Sequence, residues 1–498
     1  MTSTIKLPQN LSPKTRAFLG EKQRLLINNE WVRAEAGQTF NSYNPANNTL
    51  IAKIARAEKK DVNLAVKAAR EAFAKVWKEG TAPKERSRLL WKLASLLQRD
   101  REVLIQLETL DNGKPLSKAK YDVEAAIAHF EYYAGWATKL TGSCVPVGQG
   151  KLVYTQKEPL GVVGLIVPWN FPLMIAVWKL APALACGNCC ILKPAEQTSL
   201  TALYLGKLIL EAGFPKGVVN IVTGFGKEAG AAISAHPNID KVSFTGSTPV
   251  GKSILEAAAQ SNLKKVSLEL GGKSPNVIFE DADLDAVLDG IQWSSFYNSG
   301  QECTLGSRIY IQEGIFDKVV AALRDKASKM TIGPGWEDLD LGPLISQKQM
   351  DTVLSFVEAG KRQGAKLVCG GSKLYGNLEE GHFMEPTIFA TDKQDLSIVQ
   401  EEIFGPVVVV SPFKDFNDAI GKANTSRYGL AAAVWTKDLS KAHLFANAVD
   451  AGTVWINGYD LFDAAVPFGG FKESGNAKEM GINAIELYTK EKAVWAVL

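Results

Sequence analysis

The strongest constraint on the fold is an alternation of short apolar segments with helical segments, which begins at Gly161. The apolar segments of this first series read GVVGLIVP, CCILKP, VVNIVTG, KVSFTG and KVSLELGG. They are mostly apolar and are joined by connections long enough for a crossover helix, so we predict a parallel sheet covered by helices on both faces. Ligands bind to such sheets at the carboxyl ends of the strands.

A second series of apolar segments follows, reading PNVIFED, SRIYIQE, AKLVCGG, PVVVVSPF, AAAVWTKD and GTVWING. Because 498 residues exceed what one hydrophobic core normally serves, this series predicts a second α/β lobe. Residues 61–111 have the apolar spacing of helices that pack on one face. The predicted fold class is therefore α/β, with a parallel sheet in each of two lobes.

Composition excludes several classes of protein. A formal charge of only +3, without a Lys/Arg-rich tract, gives no support to a nucleic-acid or membrane-surface role. The N-terminal segment lacks the apolar core of a secretory signal, and six unevenly spread cysteines do not make a disulfide framework, so we predict a cytoplasmic protein. Leu160–Trp178 is uncharged and nearly long enough to span a membrane, but Pro168 and Pro172 interrupt it. We predict a buried strand, a turn and a buried helix there.

A glycine-rich loop, Gly246–Ser253, follows one predicted strand and precedes a helix. Its sequence, GSTPVGKS, matches the phosphate-binding pattern GxxxxGK(S/T) of nucleotide hydrolases. Glycines and first-turn amides at the end of a parallel strand also bind the pyrophosphate of a dinucleotide. Phosphate binding is therefore the inference, and the loop taken alone leaves a nucleotide hydrolase open.

Charged side chains follow two other predicted strands. Lys193 and Glu196 come after CCILKP, where a carboxylate can accept hydrogen bonds from ribose hydroxyls and repel a 2′-phosphate; a solvated ion pair at a helix start is the alternative. Glu269 precedes Gly271 and Gly272, where partial burial would raise its pKa toward that of a useful base. A capped surface glutamate is the alternative for Glu269.

Cys303 lies in the segment NSGQECTLGSR, after a predicted helix and before a predicted strand. A free cysteine is often a small buried hydrophobe, but its thiolate is a nucleophile, and the segment alone does not decide between the two. Cys186, Cys189 and Cys190 lack the further thiols or nearby histidine that would complete four ligands, so no metal site is predicted. None of the four histidines stands in a nucleophile motif, which disfavours a Cys-His protease.

The order of the motifs is more specific than any one of them. Seven motifs follow one another along the chain, reading PWNFP, LKPAEQ, FTGSTPVG, LELGGK, GQEC, EEIFGPV and PFGGFKESG. From about Leu25 to the C-terminus, the chain with these motifs resembles the NAD(P)-dependent aldehyde dehydrogenase superfamily. The resemblance argues against a nucleotide hydrolase. It implies a Rossmann-like parallel-sheet cofactor domain (residues 1–140 and 160–270), a second α/β catalytic domain (271–480) and a small β oligomerisation arm (141–159 and 481–498). A homo-oligomer, dimer or tetramer, is expected.

The resemblance also implies roles for individual residues. Cys303 would be the nucleophile, Glu269 the general base for thioester hydrolysis, and the Asn170 side chain the oxyanion donor together with the Cys303 backbone N–H. An ordinary cysteine has a pKa of ~8.5, so we expect the thiol to be partly ionised near neutral pH. The implied cofactor is NAD, favoured by Glu196, with NADP as the alternative. The implied cofactor-binding residues are Trp169, Lys193, Glu196, Gly246, Ser247, Gly251, Glu402 and Phe404.

The implied substrate is an aldehyde that binds in an apolar tunnel. Positions that line this tunnel in the family carry Phe171, Met174, Trp178, Tyr297, Phe462 and Phe468. Such a wall favours apolar aldehydes of medium size, aromatic or long aliphatic, with phenylacetaldehyde-like compounds as an example.

The sequence departs from the family pattern at a few positions. Ala477 and Lys478 stand where the family commonly has glycine and arginine, and Lys490 stands where relatives often have glutamate. Glu302 adds a charge beside the nucleophile, which would either raise the pKa of the thiol or point away from it. These departures leave open a structural or storage protein, such as a crystallin, that keeps the fold with damaged catalysis. The intact nucleophile, base and amide favour an enzyme.

Overall fold

The computed structural model describes residue 8 and residues 10–498. The strands in chain order are β1 (Leu25–Ile27), β2 (Glu30–Val32), β3 (Thr39–Asn44), β4 (Thr49–Ala55), β5 (Cys144–Val145), β6 (Lys151–Pro159), β7 (Val162–Ile166), β8 (Cys189–Lys193), β9 (Val219–Ile221), β10 (Lys241–Thr245), β11 (Lys265–Glu269), β12 (Pro275–Ile278), β13 (Arg308–Gln312), β14 (Lys366–Cys369), β15 (Thr387–Ala390), β16 (Val407–Phe413), β17 (Tyr428–Gly429), β18 (Ala431–Trp435), β19 (Thr453–Ile456), β20 (Phe471–Lys472) and β21 (Thr489–Val497).

The helices are α1 (Pro13–Gly20), α2 (Lys59–Ala72), α3 (Pro83–Arg99), α4 (Arg101–Asn112), α5 (Leu116–Trp136), α6 (Pro172–Ala185), α7 (Leu200–Ala212), α8 (Ala231–Ala235), α9 (Thr248–Ser261), α10 (Leu284–Phe296), α11 (Phe316–Lys329), α12 (Gln347–Arg362), α13 (Ser397–Gln400), α14 (Phe416–Asn424), α15 (Leu439–Ala448) and α16 (Asn483–Leu487). The helices α2, α3 and α4 account for the helical periodicity of residues 61–111. Leu90, Leu93 and Leu97 form the buried face of α3, as their spacing predicts.

The first large sheet has the strand order β11-β10-β7-β8-β9-β1-β2. Strands β11, β10, β7, β8 and β9 run parallel, and the hairpin β1–β2 adds an antiparallel edge. The register pairs Thr245 with Glu269, and it pairs Ile166 with both Phe244 and Lys193. These strands therefore end at one edge of the sheet, which gathers the loops that follow β7, β8, β10 and β11.

Helix α6 is buried along its whole length, because all of its residues are buried. It begins with Pro172, at a position where the missing N–H of proline costs no helical hydrogen bond. Strand β7, the turn after it and α6 confirm the prediction of a buried strand, a turn and a buried helix for Leu160–Trp178. Within the described part of the chain, no helix combines the length and the hydropathy that crossing a bilayer requires.

The second large sheet has the order β14-β15-β16-β13-β12-β18-β19, and its strands are parallel except for β14 at one edge. Together the two sheets confirm the α/β fold class. Between α10 and β13 the chain makes a 3₁₀ turn at Tyr297–Gly300, in which Asn298 and Ser299 adopt left-handed backbone angles (φ 47° and 56°). Such angles are uncommon for residues other than glycine. They redirect the chain into the segment that contains Cys303.

A smaller antiparallel sheet has the order β21-β6-β5, in which β21 and β6 pair along their whole lengths. Its strands come from the two segments that the sequence assigns to an oligomerisation arm. Leu152, Tyr154 and Trp495 of this sheet are exposed apolar side chains, and Trp495 is 62% exposed. The hairpin β3–β4 and the short antiparallel pair β17–β20 complete the sheets.

Candidate active site

Cys303 lies between two cavities, and its side chain helps to line both. The first, called the strand-edge cleft below, is lined by Pro168, Trp169, Asn170, Thr245, Gly246, Ser247, Leu270, Gly271, Cys303, Gln349, Glu402 and Phe404. The second, called the aromatic pocket, is lined by Phe171, Met174, Ile175, Trp178, Thr245, Glu269, Leu270, Glu302, Cys303, Thr304, Phe462, Phe468 and Glu479. The thiol can therefore contact one molecule in the strand-edge cleft and another in the aromatic pocket.

Two hydrogen-bond donors accompany the sulfur. The Asn170 Nδ2 donates to the Gln301 carbonyl at 3.1 Å, which uses one of its two amide hydrogens. Asn298 Nδ2 and Lys114 Nζ fix the Asn170 backbone by donating to its carbonyl at 3.0 and 2.8 Å. The Cys303 N–H has no acceptor within the described residues. One amide hydrogen and one backbone N–H thus remain for an anionic oxygen near the sulfur.

The electrostatic surroundings hold the thiol in its neutral form. Burial raises the pKa of the Cys303 thiol well above its ordinary value, and the carboxyl groups of Glu302, Glu402 and Glu269 raise it further. The expectation of a partly ionised thiol near neutral pH is therefore wrong. The charge of Glu302 is visible in the sequence beside Cys303, but Glu402 and Glu269 come from distant segments, so their contribution could not be predicted from the sequence.

Glu269 ends β11 and is buried. Neither of its carboxyl oxygens has a hydrogen-bond partner among the described residues. Burial raises its pKa well above the ordinary value, and the neighbouring Glu479 adds to the rise. A Cβ at Gly469 would lie 2.6 Å from Glu269 Oε1, so glycine leaves room for this carboxyl group. An unsatisfied carboxyl with a raised pKa is suited to accept a proton.

Two charged residues that the sequence analysis missed lie behind Glu269. Lys179 Nζ of α6 donates to Glu479 Oε1, and Ser243 Oγ donates to the same oxygen at 2.9 Å. Glu479 also lines the aromatic pocket. A signal was available for Lys179: a single lysine in a helix that is otherwise apolar must be paired when it is buried.

The strand-edge cleft contains groups that suit a phosphate-linked ligand. Ser247 caps α9 without a side-chain bond to the helix, and the buried Thr245 hydroxyl has no partner in the described range. Glu402 accepts the Gly272 N–H at 3.0 Å, and burial raises its pKa to about 7. Trp169 and Phe404 meet edge to face, with ring centroids 5.2 Å apart.

The other predicted cofactor residues lie outside this cleft. The Lys193 ammonium is buried, donates to the Pro194 carbonyl at 2.7 Å and lies 3.8 Å from Glu196 Oε2. Burial lowers the pKa of Lys193 to about 8. Glu196 lines a separate cleft farther along the sheet edge. At Gly251, within α9, a Cβ would lie 2.8 Å from Leu270, so this glycine allows close packing of the helix.

The match to a hydrolase phosphate loop is not realised in three dimensions. Only Gly246 and Ser247 separate β10 from α9, and the Gly251 to Ser253 part of the pattern is helical. Lys252 is exposed and lies 3.3 Å from Glu473. It therefore does not reach over the strand end, where the lysine of a phosphate loop would hold a nucleotide.

The predicted substrate residues come together around the aromatic pocket. Phe171, Met174, Trp178, Phe462 and Phe468 line it. The rings of Trp178 and Phe468 are 5.4 Å apart, and those of Phe462 and Phe468 are 5.6 Å apart.

Tyr297 lines a neighbouring groove and stacks on Phe171 at 6.1 Å. It therefore supports the pocket wall from outside.

The remaining departures from the family pattern are Ala477, Lys478 and Lys490. Lys478 Nζ donates to the Gly469 carbonyl and lies 4.6 Å from the centre of the Phe471 ring. Ala477 is buried, and Lys490 is exposed on β21.

The three clustered cysteines, Cys186, Cys189 and Cys190, are buried free thiols. Across the described ranges, no group of three or more His, Cys, Asp or Glu could hold a metal ion.

Comparison with known proteins shows which family has this architecture. The model of the aldehyde dehydrogenase family matches residues 31–494. An aldehyde dehydrogenase of Emericella nidulans is 51% identical over 471 residues, which cover 94% of this chain and 94% of that protein. Retinal dehydrogenase 2 of Homo sapiens is 49% identical over 475 residues, covering 95% of this chain and 91% of that protein.

A solved structure agrees. The NAD⁺ complex of an aldehyde dehydrogenase from Bacillus cereus has a TM-score of 0.96 at 48% identity, covering 98% of this chain and 99% of that one. The chain therefore belongs to the aldehyde dehydrogenase family, whose enzymes oxidise aldehydes to carboxylic acids.

Proposed function

We propose that this enzyme uses NAD to oxidise apolar aldehydes, aromatic or of medium to long aliphatic length, to their carboxylic acids. The observation that carries the proposal is the position of Cys303, which lines both the strand-edge cleft and the aromatic pocket. The aromatic pocket would receive the apolar body of the aldehyde, because its wall is mostly aromatic and aliphatic. The name of retinal dehydrogenase 2 among the relatives supports an apolar substrate.

The residues present fit a dinucleotide. The uncapped first turn of α9 offers N–H groups to the pyrophosphate beside Gly246 and Ser247, and the partnerless Thr245 hydroxyl adds a polar contact. Lys193 and Glu196 would bind the adenosine ribose. Trp169, Glu402 and Phe404 would surround the pyrophosphate, the nicotinamide ribose and the ring.

Acylation would use the donors beside the sulfur. The Cys303 thiol would give up its proton to water as Sγ adds to the aldehyde carbon, and the Asn170 amide and the Cys303 N–H would stabilise the negative oxygen of the thiohemiacetal. One such donor is typically worth ~3 kcal/mol, or roughly a hundredfold in rate. When bound, NAD would supply a positive charge that favours the thiolate and an acceptor for the hydride that leaves the substrate carbon, which would become a thioester.

Deacylation would use Glu269. Its carboxylate takes a proton from water, the resulting hydroxide attacks the thioester, and the acid leaves as the Cys303 sulfur is restored. The unsatisfied oxygens and raised pKa of Glu269 support this role. Lys179 and Glu479 would receive or pass on the proton, because Glu479 adjoins Glu269 in the same pocket.

The oligomerisation arm is part of the proposal. The exposed apolar face of the sheet β21-β6-β5 would be covered in a dimer or tetramer, since large exposed apolar side chains are typical of association surfaces. The proposed domain limits remain those given in the sequence analysis.

A panel of aldehydes tests the proposed function. NADH or NADPH formation would be followed for straight-chain aldehydes of increasing length, phenylacetaldehyde and glycolaldehyde. We expect kcat/KM to rise by roughly fourfold per buried methylene until the pocket is full, and to be higher with NAD. Equal values for glycolaldehyde and octanal would contradict the apolar preference. Turnover by Cys303→Ser at the wild-type rate would contradict the role of the thiol.

A further inference from the structure

We propose that Lys114 is a positioning residue for acylation, because its buried ammonium holds the turn that carries the oxyanion donor Asn170. The proposal rests on the proposed function, in which Asn170 stabilises the negative oxygen of the thiohemiacetal. Lys114 follows α4 and lines neither of the two cavities beside Cys303. It would therefore act through Asn170 and not by contact with the substrate.

The side chains that flank Gly113 hold two consecutive carbonyl groups of this turn. Asn112 Nδ2 donates to the Trp169 carbonyl at 2.8 Å. Lys114 Nζ donates to the Asn170 carbonyl, also at 2.8 Å. Gly113 has a left-handed backbone (φ 92°), and a Cβ there would lie 2.7 Å from two proline side chains. Glycine therefore allows both of its neighbours to reach the turn.

Buried carboxyl groups hold the Lys114 ammonium in place. The side chains of Lys114, Asp122 and Glu108 are all 0% exposed. Lys114 Nζ donates to Asp122 Oδ2 and lies 3.7 Å from Glu108 Oε1. A buried ammonium is costly unless it is paired, and these carboxyl groups compensate its charge. Because a charged donor makes a hydrogen bond roughly twice as strong as a neutral one, Lys114 is the strongest donor to the Asn170 carbonyl.

The same ammonium also contacts a ring of the aromatic pocket. Lys114 Nζ lies 4.4 Å from the centre of the Phe171 ring, and Phe171 lines that pocket. An aromatic ring attracts a cation at this distance. Lys114 thus holds the turn both at the Asn170 carbonyl and at the side chain of the next residue.

Other hydrogen bonds tie the held turn to the segment that leads into Cys303. Asn170 Nδ2 donates to the Gln301 carbonyl at 3.1 Å. Asn298 Nδ2 donates to the Asn170 carbonyl at 3.0 Å and to the Gln301 carbonyl at 3.3 Å. With its backbone and one amide hydrogen fixed, Asn170 keeps its second amide hydrogen in a constant direction relative to the sulfur. A displacement of about 1 Å in such a group can lower the rate roughly a hundredfold.

The test separates acylation from access to the sulfur. The thiol of Cys303 would be acylated by p-nitrophenyl acetate without NAD, and the burst of p-nitrophenol would be followed by stopped-flow absorbance. A Cys144→Ser background removes the exposed cysteine, and Cys303→Ser supplies the blank. The thiol loses its proton to water, Sγ bonds to the acetyl carbon through a negatively charged intermediate, and p-nitrophenolate leaves. Alkylation of Cys303 by iodoacetamide, followed by peptide mass spectrometry, forms no oxyanion and reports only the access and acidity of the sulfur.

The main variant combines Lys114→Met with Asp122→Asn, which removes the ammonium without leaving the Asp122 charge unpaired. We expect the burst rate to fall roughly 10- to 100-fold, and the alkylation rate and the Kd for NAD to stay within about twofold. Asp122→Asn alone keeps the ammonium and its bond to the Asn170 carbonyl, so it should retain most of the burst rate. Lys120→Met, at an exposed lysine of α5, should change neither rate.

A second variant, Lys114→Arg, keeps a positive charge beside the buried carboxyl groups and serves if the double variant does not fold. Its guanidinium is planar and larger than an ammonium, so it cannot occupy the enclosed site without moving the turn. We expect a lower burst rate with unchanged alkylation here too.

Three results would overturn the proposal. One is a wild-type burst rate in any folded Lys114 variant, and another is an equal loss of burst and alkylation, which would indicate a general disturbance of the site. The third is a loss in Asp122→Asn as large as that in the double variant, because the ion pair and not the bond to Asn170 would then matter. The burst needs neither NAD nor aldehyde, so failure of the proposed function would instead appear as a normal burst without NADH formation.

Discussion

At the scale of single residues, the free carboxyl group of Glu269 leads to a kinetic prediction. Glu269→Gln keeps the size of the side chain but cannot accept a proton from water. We expect a burst of NADH, measured at pH 8 by stopped-flow absorbance, while steady turnover falls by roughly 10²- to 10⁴-fold. Burst and turnover that fall together would contradict a role confined to thioester hydrolysis.

Glu402 gives a prediction about pH. Its pKa is raised to about 7 by burial, so its carboxylate is present above that pH and is lost below it. Only the ionised form can accept hydrogen bonds through both oxygens. We therefore expect the Kd for NAD, measured by titration calorimetry without aldehyde, to increase as the pH falls from 8 to 6. Glu402→Gln should bind with little dependence on pH.

The neighbouring Glu401 supplies the matched control for this measurement. It is exposed and pairs with Arg427 at 2.6 Å, so Glu401→Gln should keep the wild-type dependence. Tighter binding at pH 6 than at pH 8 in the wild type would contradict the proposed contact between Glu402 and the ribose.

At the scale of elements, the loop after β11 is held against the Cys303 segment. A Cβ at Gly272 would collide with the Cys303 carbonyl oxygen, and backbone atoms cannot move aside cheaply. We expect Gly272→Ala to lower stability by about 1–3 kcal/mol, measured by thermal unfolding, and to remove most activity. Gly20→Ala, where no heavy atom lies within 4 Å of the new Cβ, should change neither. Equal effects of the two substitutions would contradict this close approach.

The elements themselves were predictable where burial is uniform. Strand β7 is apolar throughout, and strand β8 and helix α6 are apolar except for one lysine each, so their sequences indicate their structure directly. The left-handed turn at Asn298 and Ser299 was not predictable from the sequence, because its backbone angles depend on packing. Motif order pointed to the nucleophile and base, but the ion pair of Lys179 with Glu479 joins residues 300 positions apart, which no local pattern reveals.

At the scale of the whole molecule, the sheet β21-β6-β5 predicts association. Trp495 is 62% exposed on this sheet, and burying it in a subunit contact would remove apolar surface from water. We expect Trp495→Asp to lower the molar mass measured by light scattering from that of an oligomer toward that of the 54.0 kDa chain. Tyr375→Asp, at a position that is 75% exposed on another surface, should have no such effect. A wild-type monomer would contradict the prediction.

The position of the sulfur between two cavities also bears on the sequence of events in turnover. The strand-edge cleft and the aromatic pocket have only Thr245, Leu270 and Cys303 in common, so the sites proposed for the two reactants overlap little. In the proposed mechanism the spent dinucleotide would depart while the acyl group is still attached, and its cleft would then admit the water that hydrolysis consumes. An unreactive aldehyde mimic would therefore slow the enzyme without being displaced by excess NAD.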